Sequence, residues 1–211
     1  MPAVDFFYEF ASTYSYISAA RAAALATRAG VTLRWRPFLL GPIFKAQGWD
    51  TSPFNLYPAK GRYMVRDCER QCAQLGVPFR LPAPFPQNSL LASRVALVGL
   101  DEGWGEEFSC AVYRAEFAEG RNIGDAAMIG EIVQTLGHDS AAALSRAQSD
   151  AIKSKLRALA DAPTDLRLSK PLINTQKRSS RVGSYRIIFV IEERQLFVVD
   201  IDSRGHVYRN L

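Results

Sequence analysis

Cysteine is scarce in this chain: Cys68, Cys72 and Cys110 are the only three in 211 residues. Cys68 and Cys72 lie four residues apart in a helical pattern, so we expect them to share one face as apolar helix residues, with a redox or metal role as the alternative. They are not a C-x-x-C at a helix start, the spacing that lowers a thiol pKa. An odd count without a leader fits a reducing compartment, which predicts a cytoplasmic protein with no metal site. Apolar runs never reach the roughly 18 residues of a membrane helix, and residues 1–10 lack a basic leader. We therefore expect neither a membrane span nor a signal peptide.

Net charge is also missing from most of the chain. Residues 1–149 hold 14 Lys and Arg against 14 Asp and Glu, whereas residues 150–211 hold 12 against 7. The whole formal charge of +5 therefore belongs to the last 62 residues. Such an asymmetry indicates a segment that binds polyanions such as nucleic acid, or a segment of separate origin; a basic surface that serves only solubility is the alternative.

The first 38 residues predict a strand, a helix and a second strand. Residues 4–10 form an apolar, aromatic run typical of a strand buried on both faces. An Ala-rich stretch at 14–29 follows and ends at Gly30, a residue suited to terminate a helix. Residues 31–38 alternate as a strand does, so the three elements predict a βαβ unit with a parallel pair.

The rest of the chain predicts helices and then strands. Residues 41–58 are rich in Gly, Pro and aromatics and predict a loop. An all-helical insertion follows over about 61–147, and another helix covers 150–160. Residues 185–201 predict an antiparallel hairpin. The expected fold class is α/β: a thioredoxin-like βαβ unit with a large helical insertion, then a helix and a C-terminal hairpin.

Ser12 lies at the predicted start of the first helix. A helix N-terminus carries unpaired N–H groups and partial positive charge, which stabilise an anion. A thiolate at that point has a lowered pKa and becomes nucleophilic at neutral pH. A serine there is also an ordinary helix cap, and this pattern alone leaves both interpretations open.

The N-terminal run DFFYEFASTYSY, at 5–16, resembles the start of the 2-hydroxychromene-2-carboxylate isomerases. These enzymes belong, with kappa-class glutathione transferases, to the DsbA-like group of the thioredoxin superfamily. The resemblance extends from about residue 3 to about 157. Further matching segments, in the family's order, are RPFLLG at 36–41, NLYPAKGRYM at 55–64, FPQNS at 85–89 and YRAEFAEG at 113–120.

The resemblance implies a glutathione-dependent isomerase or transferase. Ser12 corresponds to the catalytic serine that hydrogen-bonds the glutathione sulfur, and Lys60 to a lysine that contacts glutathione. Asn55 lies in the same polar loop and is expected to contribute, with a turn role as the alternative. The implied substrate is a small aromatic carboxylate resembling 2-hydroxychromene-2-carboxylate, and the implied assembly is a homodimer. Thr13 replaces the family's usual proline.

The resemblance to the isomerases breaks near Arg157. The family's G-x-F-G-V-P-T-F-like segment and G-N-D-R-like motif are absent. The tail instead resembles the C-terminal half of RelE/ParE-type toxins, which implies a tail site at Lys177, Arg186 and Tyr208. The segments that carry this resemblance are LRALADAP at 156–163, RVGSYRIIF at 181–189 and VVDIDSRGHVYR at 198–209.

These resemblances predict two modules. Residues 1–157 form the isomerase-like module and residues 158–211 form a basic, β-rich tail. The alternative to the enzyme is a chimera with impaired catalysis whose tail, over 150–211, binds RNA or a protein partner.

Overall fold

The protein is described by a computed structural model that covers residues 1–162, 164–173, 175–183, 185–192 and 195–203. It divides into two compact units, Met1–Ala147 and Gln148–Leu211. The predicted module boundary at 157/158 was drawn from sequence resemblance and stays a prediction.

The βαβ unit is present as expected. Strand β1 (Ala3–Tyr8) and strand β2 (Thr32–Pro37) pair in parallel, in register from Ala3↔Thr32 to Tyr8↔Pro37. Helix α1 (Thr13–Ala29) connects them and ends at Gly30, whose φ of 64° is left-handed. Glycine reaches that conformation without the strain a Cβ would add, which is why the helix stops there.

Burial of β1 differs from the prediction. The aromatic run predicted a strand covered on both faces, but the Phe7 side chain is 66% exposed and Val4 is 48% exposed. Tyr8 is fully buried at the end of the strand. The sheet of the first unit has only two strands, so the burial of β1 depends on the helices packed against it rather than on neighbouring strands.

The helical insertion is confirmed, with one correction. Residues 41–58 were expected to be a loop, yet they contain most of α2 and all of α3, two helices too short to show a clear apolar period. The helices after β2 are α2 (Leu40–Ala46), α3 (Pro53–Leu56), α4 (Pro58–Leu75), α5 (Leu90–Glu102), α6 (Gly105–Phe117) and α7 (Ala126–Thr135).

An aromatic cluster forms the core of the first unit where β1 meets α1 and α6. Tyr8 packs edge-on against Phe10 and Trp35, with ring centroids 5.4 and 5.2 Å apart. Tyr113 of α6 lies 5.2 Å from Phe10 and donates a 2.9 Å hydrogen bond to the Glu9 carbonyl oxygen. These contacts fix the end of β1, and therefore the start of α1, against α6.

Helix α8 (Ser140–Asp161) is continuous where two shorter helices were expected. In the second unit, β4 (Arg178–Val182), β5 (Tyr185–Glu192) and β6 (Gln195–Ser203) form an antiparallel sheet that β3 (Lys170–Pro171) extends. The predicted hairpin is thus confirmed as β5 and β6, which pair from Tyr185↔Ser203 to Glu192↔Gln195. The small core of this unit consists of Leu159, Val182, Ile187 and Phe189.

A search of the described residues for bilayer-spanning segments finds no helix that is both long and apolar enough. Within the same residues, no group of three or more His, Cys, Asp or Glu side chains is arranged to hold a metal ion.

Candidate active site

Ser12 is the residue that caps the N-terminus of α1. Ser12 adopts an extended backbone, with φ −115° and ψ 114°, and its hydroxyl oxygen accepts a 3.3 Å hydrogen bond from the Ser15 N–H. The first turn of the helix contains no acidic residue. The partial positive charge of the helix end is therefore available to an external anion.

Capping leaves the Ser12 hydroxyl with a free hydrogen. A serine hydroxyl offers one donor and two acceptor lone pairs, and the cap uses only an acceptor. Ser15 is positioned by a different contact, because its hydroxyl oxygen accepts the Glu9 N–H at 3.3 Å. Ser12 can therefore cap α1 and donate to an anion at the same time, so the two interpretations of this residue are compatible.

A cavity of about 530 Å³ lies beside the end of β1. Its lining includes Ala11, the neighbour of Ser12, but not Ser12 itself. The walls come from the end of β1, the segment from Leu39 to Asn55, and the segment that precedes α5. The residues that line it are Glu9, Ala11, Leu39, Leu40, Gly41, Pro42, Phe44, Trp49, Asp50, Thr51, Ser52, Asn55, Phe85, Pro86, Gln87, Asn88, Ser89 and Leu90.

Asn55 and Lys60 lie in different surroundings. Asn55, on α3, lines the cavity, and its side-chain amide donates a 3.0 Å hydrogen bond to the Thr51 hydroxyl. Lys60, in the first turn of α4, is exposed and holds its ammonium 5.0 Å above the Tyr57 ring. Lys60 does not line the cavity. The structure thus brings Asn55, but not Lys60, to the cavity beside Ser12.

Glu9 is a buried carboxyl in the wall of this cavity. The residue is 4% exposed, and its Oε1 accepts a hydrogen bond from the hydroxyl of Ser89, another lining residue. Burial raises the pKa of Glu9, while the hydrogen bonds from Ser89 and from the Ala11 backbone partly oppose this effect. Glu9 therefore has two donors that stabilise its ionised form.

A second carboxyl, Glu116 of α6, is wholly buried behind this wall. Neither of its carboxyl oxygens has a hydrogen-bond partner among the described residues. Burial, with a further contribution from the charge of Glu9, raises the pKa of Glu116 to about 9. At neutral pH the proton therefore stays on Glu116, whereas only Glu9 of the two has hydrogen-bond donors for its ionised form.

Sequence reasoning singled out neither of these carboxyls. The signal that could have found Glu9 is an acidic residue between two aromatic ones, Tyr8 and Phe10, directly after β1. Glu116 likewise stands between Ala115 and Phe117 on the buried side of α6. An acidic residue at a position where the apolar pattern requires burial marks either a partnered core group or a functional one.

The two cysteines of α4 are buried, which keeps their thiols from ionising. Cys68 and Cys72 are both buried on one face of the helix, as the four-residue spacing predicted. Burial raises the pKa of both thiols, that of Cys72 to about 11. Neither is activated as a thiolate, which agrees with their interpretation as apolar helix residues.

The predicted tail site is only partly described. Arg186, on β5, lines a separate cavity of about 750 Å³ within the second unit. Lys177 does not line it, and Tyr208 lies outside the described residues. Among the described residues, five basic side chains and no acidic one contribute to the lining of this cavity. The five are Lys155, Arg167, Lys170, Arg181 and Arg186.

Similarity to known proteins decides the family. The DSBA-like thioredoxin domain matches residues 3–169. The chain belongs to this family. In fold, it is similar to a solved 2-hydroxychromene-2-carboxylate isomerase, with a TM-score of 0.63 and 20% identity over 92% of this chain and 87% of that one. The DsbA-like thioredoxin fold expected from the sequence is therefore confirmed.

Two characterised relatives match part of the chain. Glutathione S-transferase kappa 1 of Caenorhabditis elegans is 34% identical over 86 residues, which is 40% of this chain and 37% of that protein. The 2-hydroxychromene-2-carboxylate isomerase of Sphingobium xenophagum is 30% identical over 112 residues, or 52% of this chain and 55% of the relative. This DsbA-like chain thus spans about half or less of the length of either relative. The resemblance of the tail to RelE/ParE-type toxins has no support from these matches.

Proposed function

We propose that this DsbA-like protein is an enzyme, a glutathione-dependent isomerase or transferase that acts on an aromatic substrate. The proposal rests on one structural observation: the first turn of α1 contains no acidic residue, and Ser12 caps the helix through an acceptor lone pair, which leaves its hydroxyl hydrogen available. The matched relatives, named as a kappa glutathione transferase and a 2-hydroxychromene-2-carboxylate isomerase, support the same chemistry.

The residues around Ser12 fit the sulfur end of glutathione. A thiolate at this helix end would accept the Ser12 O–H and face the unpaired N–H groups of the first turn. The positions that hold C-x-x-C in thiol oxidoreductases are Ser12, Thr13, Tyr14 and Ser15 here, so the chain supplies no thiol of its own at this point. The nucleophilic thiol must therefore come from a small molecule that binds at this site.

The charged ends of glutathione need donors outside the cavity. Its lining contains no Lys, Arg or His among the described residues, whereas the exposed Lys60 ammonium lies outside it. We propose that the Lys60 ammonium binds a carboxylate of glutathione. The amide of Asn55 would lie where glutathione meets the substrate. Bound glutathione would supply a thiolate that adds to a conjugated double bond of the substrate and later leaves it.

Glutathione binding and the ionisation of its thiol test this function. The thiolate absorbance of bound glutathione is measured as a function of pH. We expect it to give a thiol pKa below that of glutathione free in solution. Ser12→Ala is expected to raise that pKa by about one to two pH units, since a hydrogen bond to a charged group is worth about 1.5–3 kcal/mol. Ser12→Thr keeps a hydroxyl and is the matched control, expected to retain most of the effect.

Two results would reject the function. One is a wild-type protein that shows no retention on glutathione-agarose and no calorimetric heat with glutathione. The other is a thiol pKa that is equal in wild type and Ser12→Ala, with both proteins folded by circular dichroism. Gel filtration with light scattering tests the homodimer that the resemblance implies.

A second candidate function concerns the basic cavity of the second unit. We propose it as an RNA-binding surface, the activity expected of the tail in the chimera interpretation. Five cationic side chains line one cavity of about 750 Å³, and only Arg167 among them has a described ion pair, with Asp165 at 2.6 Å. When basic side chains bind the phosphates of RNA, they release the counterions of the RNA, and the binding affinity therefore depends on salt concentration.

The salt dependence of RNA binding tests this candidate. The logarithm of the affinity for mixed RNA should fall linearly with the logarithm of the salt concentration. Lys170→Ala or Arg181→Ala should each reduce the slope of that line by about 1. Arg21→Ala, on α1, is the control. Alanine variants of Lys177, Arg186 and Tyr208 test the predicted tail site directly. A slope near zero in wild type would exclude RNA as the partner.

A further inference from the structure

The cavity beside Ser12 has an acidic lining, which bears on the second substrate. Two carboxylates, Glu9 and Asp50, line it, and no cationic side chain among the described residues does. The positive helix end at Ser12 lies outside the lining. A ligand with a carboxylate of its own would meet like charge here and find no cation to compensate it.

Of the two buried carboxyls, Glu9 is the one that lines the cavity and has hydrogen-bond donors. It accepts hydrogen bonds from the Ser89 hydroxyl and the Ala11 backbone, whereas neither oxygen of Glu116 has a partner among the described residues. Donors of this kind favour the ionised form of a carboxyl. The carboxyl that can accept a further hydrogen bond from a cation is therefore the one that lines the cavity.

The other walls suit a flat ring with a cationic substituent. Phe44 and Trp49 lie with ring centroids 5.7 Å apart, and Phe85 is held edge-on by Phe54 at 5.1 Å. Aromatic faces attract cations and bury planar rings. Side-chain amides and hydroxyls of the lining, including Asn55 and Gln87, add neutral hydrogen-bonding groups. The volume of about 530 Å³ is within the range of sites that take small organic ligands.

We propose that this cavity binds a planar aromatic ligand that carries a protonated amine, held by the Glu9 carboxylate, and that it disfavours aromatic carboxylates. The inference rests on the proposed function in one respect, because the ligand is taken as the second substrate of that reaction. It changes the substrate class that the sequence resemblance implied, from an aromatic acid to an aromatic amine.

Three matched probes test the charge preference. They are 1-naphthylmethylamine, 1-naphthylmethanol and 1-naphthoate, each titrated calorimetrically into the full-length protein at pH 7 without glutathione. We expect the amine to bind at least tenfold more tightly than the carboxylate, with the alcohol between them. A charge-assisted hydrogen bond to a buried carboxylate accounts for this order.

Three variants test which carboxyl causes the preference for the amine. Glu9→Gln keeps the shape of the side chain and its contact with Ser89, and is expected to bring the amine and carboxylate affinities within about threefold of each other. Asp50→Asn removes the exposed carboxylate of the lining, and Glu116→Gln removes the buried carboxyl behind it. Each of these two variants is expected to retain most of the preference for the amine over the carboxylate. Circular dichroism confirms that each variant is folded.

The inference would be overturned by equal or tighter binding of the carboxylate to wild type, by an unchanged preference in Glu9→Gln, or by no binding of any probe. Saturating glutathione should leave amine binding intact, and competition between them would also overturn it. Because these titrations contain no glutathione, amine binding can succeed even where the glutathione test fails. The two proposals therefore fail separately.

Discussion

Replacement of Glu116 by glutamine should stabilise the first unit, and the gain should grow with pH. The carboxyl is wholly buried and has no hydrogen-bond partner in the part of the chain that the structure describes, and its pKa rises from the ordinary 4.5 to about 9 on folding. A group whose pKa is raised in the folded state favours folding below its unfolded pKa. That contribution is lost as the pH rises towards the folded value.

The magnitude follows from the two pKa values. At pH 7 the unfolded chain must bind a proton at Glu116 in order to fold, which costs about 3 kcal/mol at 1.36 kcal/mol per pH unit between 4.5 and 7. Glu116→Gln has no such cost. Its stability relative to wild type should therefore rise by about 3 kcal/mol between pH 4.5 and pH 7.

Urea unfolding followed by tryptophan fluorescence measures this difference. All three tryptophans, Trp35, Trp49 and Trp104, lie in the first unit, so the signal reports that unit. Glu107→Gln, at an exposed position of the same helix, is the matched control and should show no pH-dependent difference from wild type. If the gain of Glu116→Gln were the same at pH 4.5 and pH 7, the burial argument would be refuted.

Three further predictions concern α1, α6 and the thiols. Ser12→Ala should cost about 1 kcal/mol of unfolding free energy and Ser12→Gly only a few tenths, because the loss is that of a helix cap; equal costs in urea unfolding would contradict this. Gly105→Ala should cost about 1–3 kcal/mol, since its Cβ would lie 2.3 Å from the Leu100 backbone nitrogen, and an unchanged denaturation midpoint would contradict the packing. Cys68 and Cys72 should react slowly with a thiol reagent in the native protein at pH 8 and fully after unfolding, because burial raises the pKa of both; mass spectrometry that finds them modified in the native state would disprove it.

Local signals predicted the βαβ unit well. Ser12 at the cap, an Ala-rich helix and Gly30 at its end are chemical features of a few adjacent residues, and the structure has α1 within one residue of the predicted range. The hairpin of β5 and β6 was found for the same reason, since alternation is visible in the sequence. The helix at 140–161 was expected in two pieces, although no Gly or Pro lies in that range to interrupt it.

Elements without a clear apolar period in the sequence were missed. Strand β4, with the sequence RSSRV, has a polar pattern and owes its strand conformation to pairing with β5. Helices α2 and α3 are short, and their turns are supported by local contacts rather than by an amphipathic period. The exposure of Phe7 could not be read from β1 either, because burial depends on which elements cover the strand.

The sequence by itself determined the family, the start of α1 and the serine that caps it, because each is encoded by neighbouring residues. Tertiary structure decided the character of the cavity beside that serine. Glu9 and Glu116 lie far apart in the chain, and only the packing of α6 against the end of β1 brings them together. Since a buried charge depends on the donors and charges around it, the ionisation of these carboxyls is a property of the folded molecule alone.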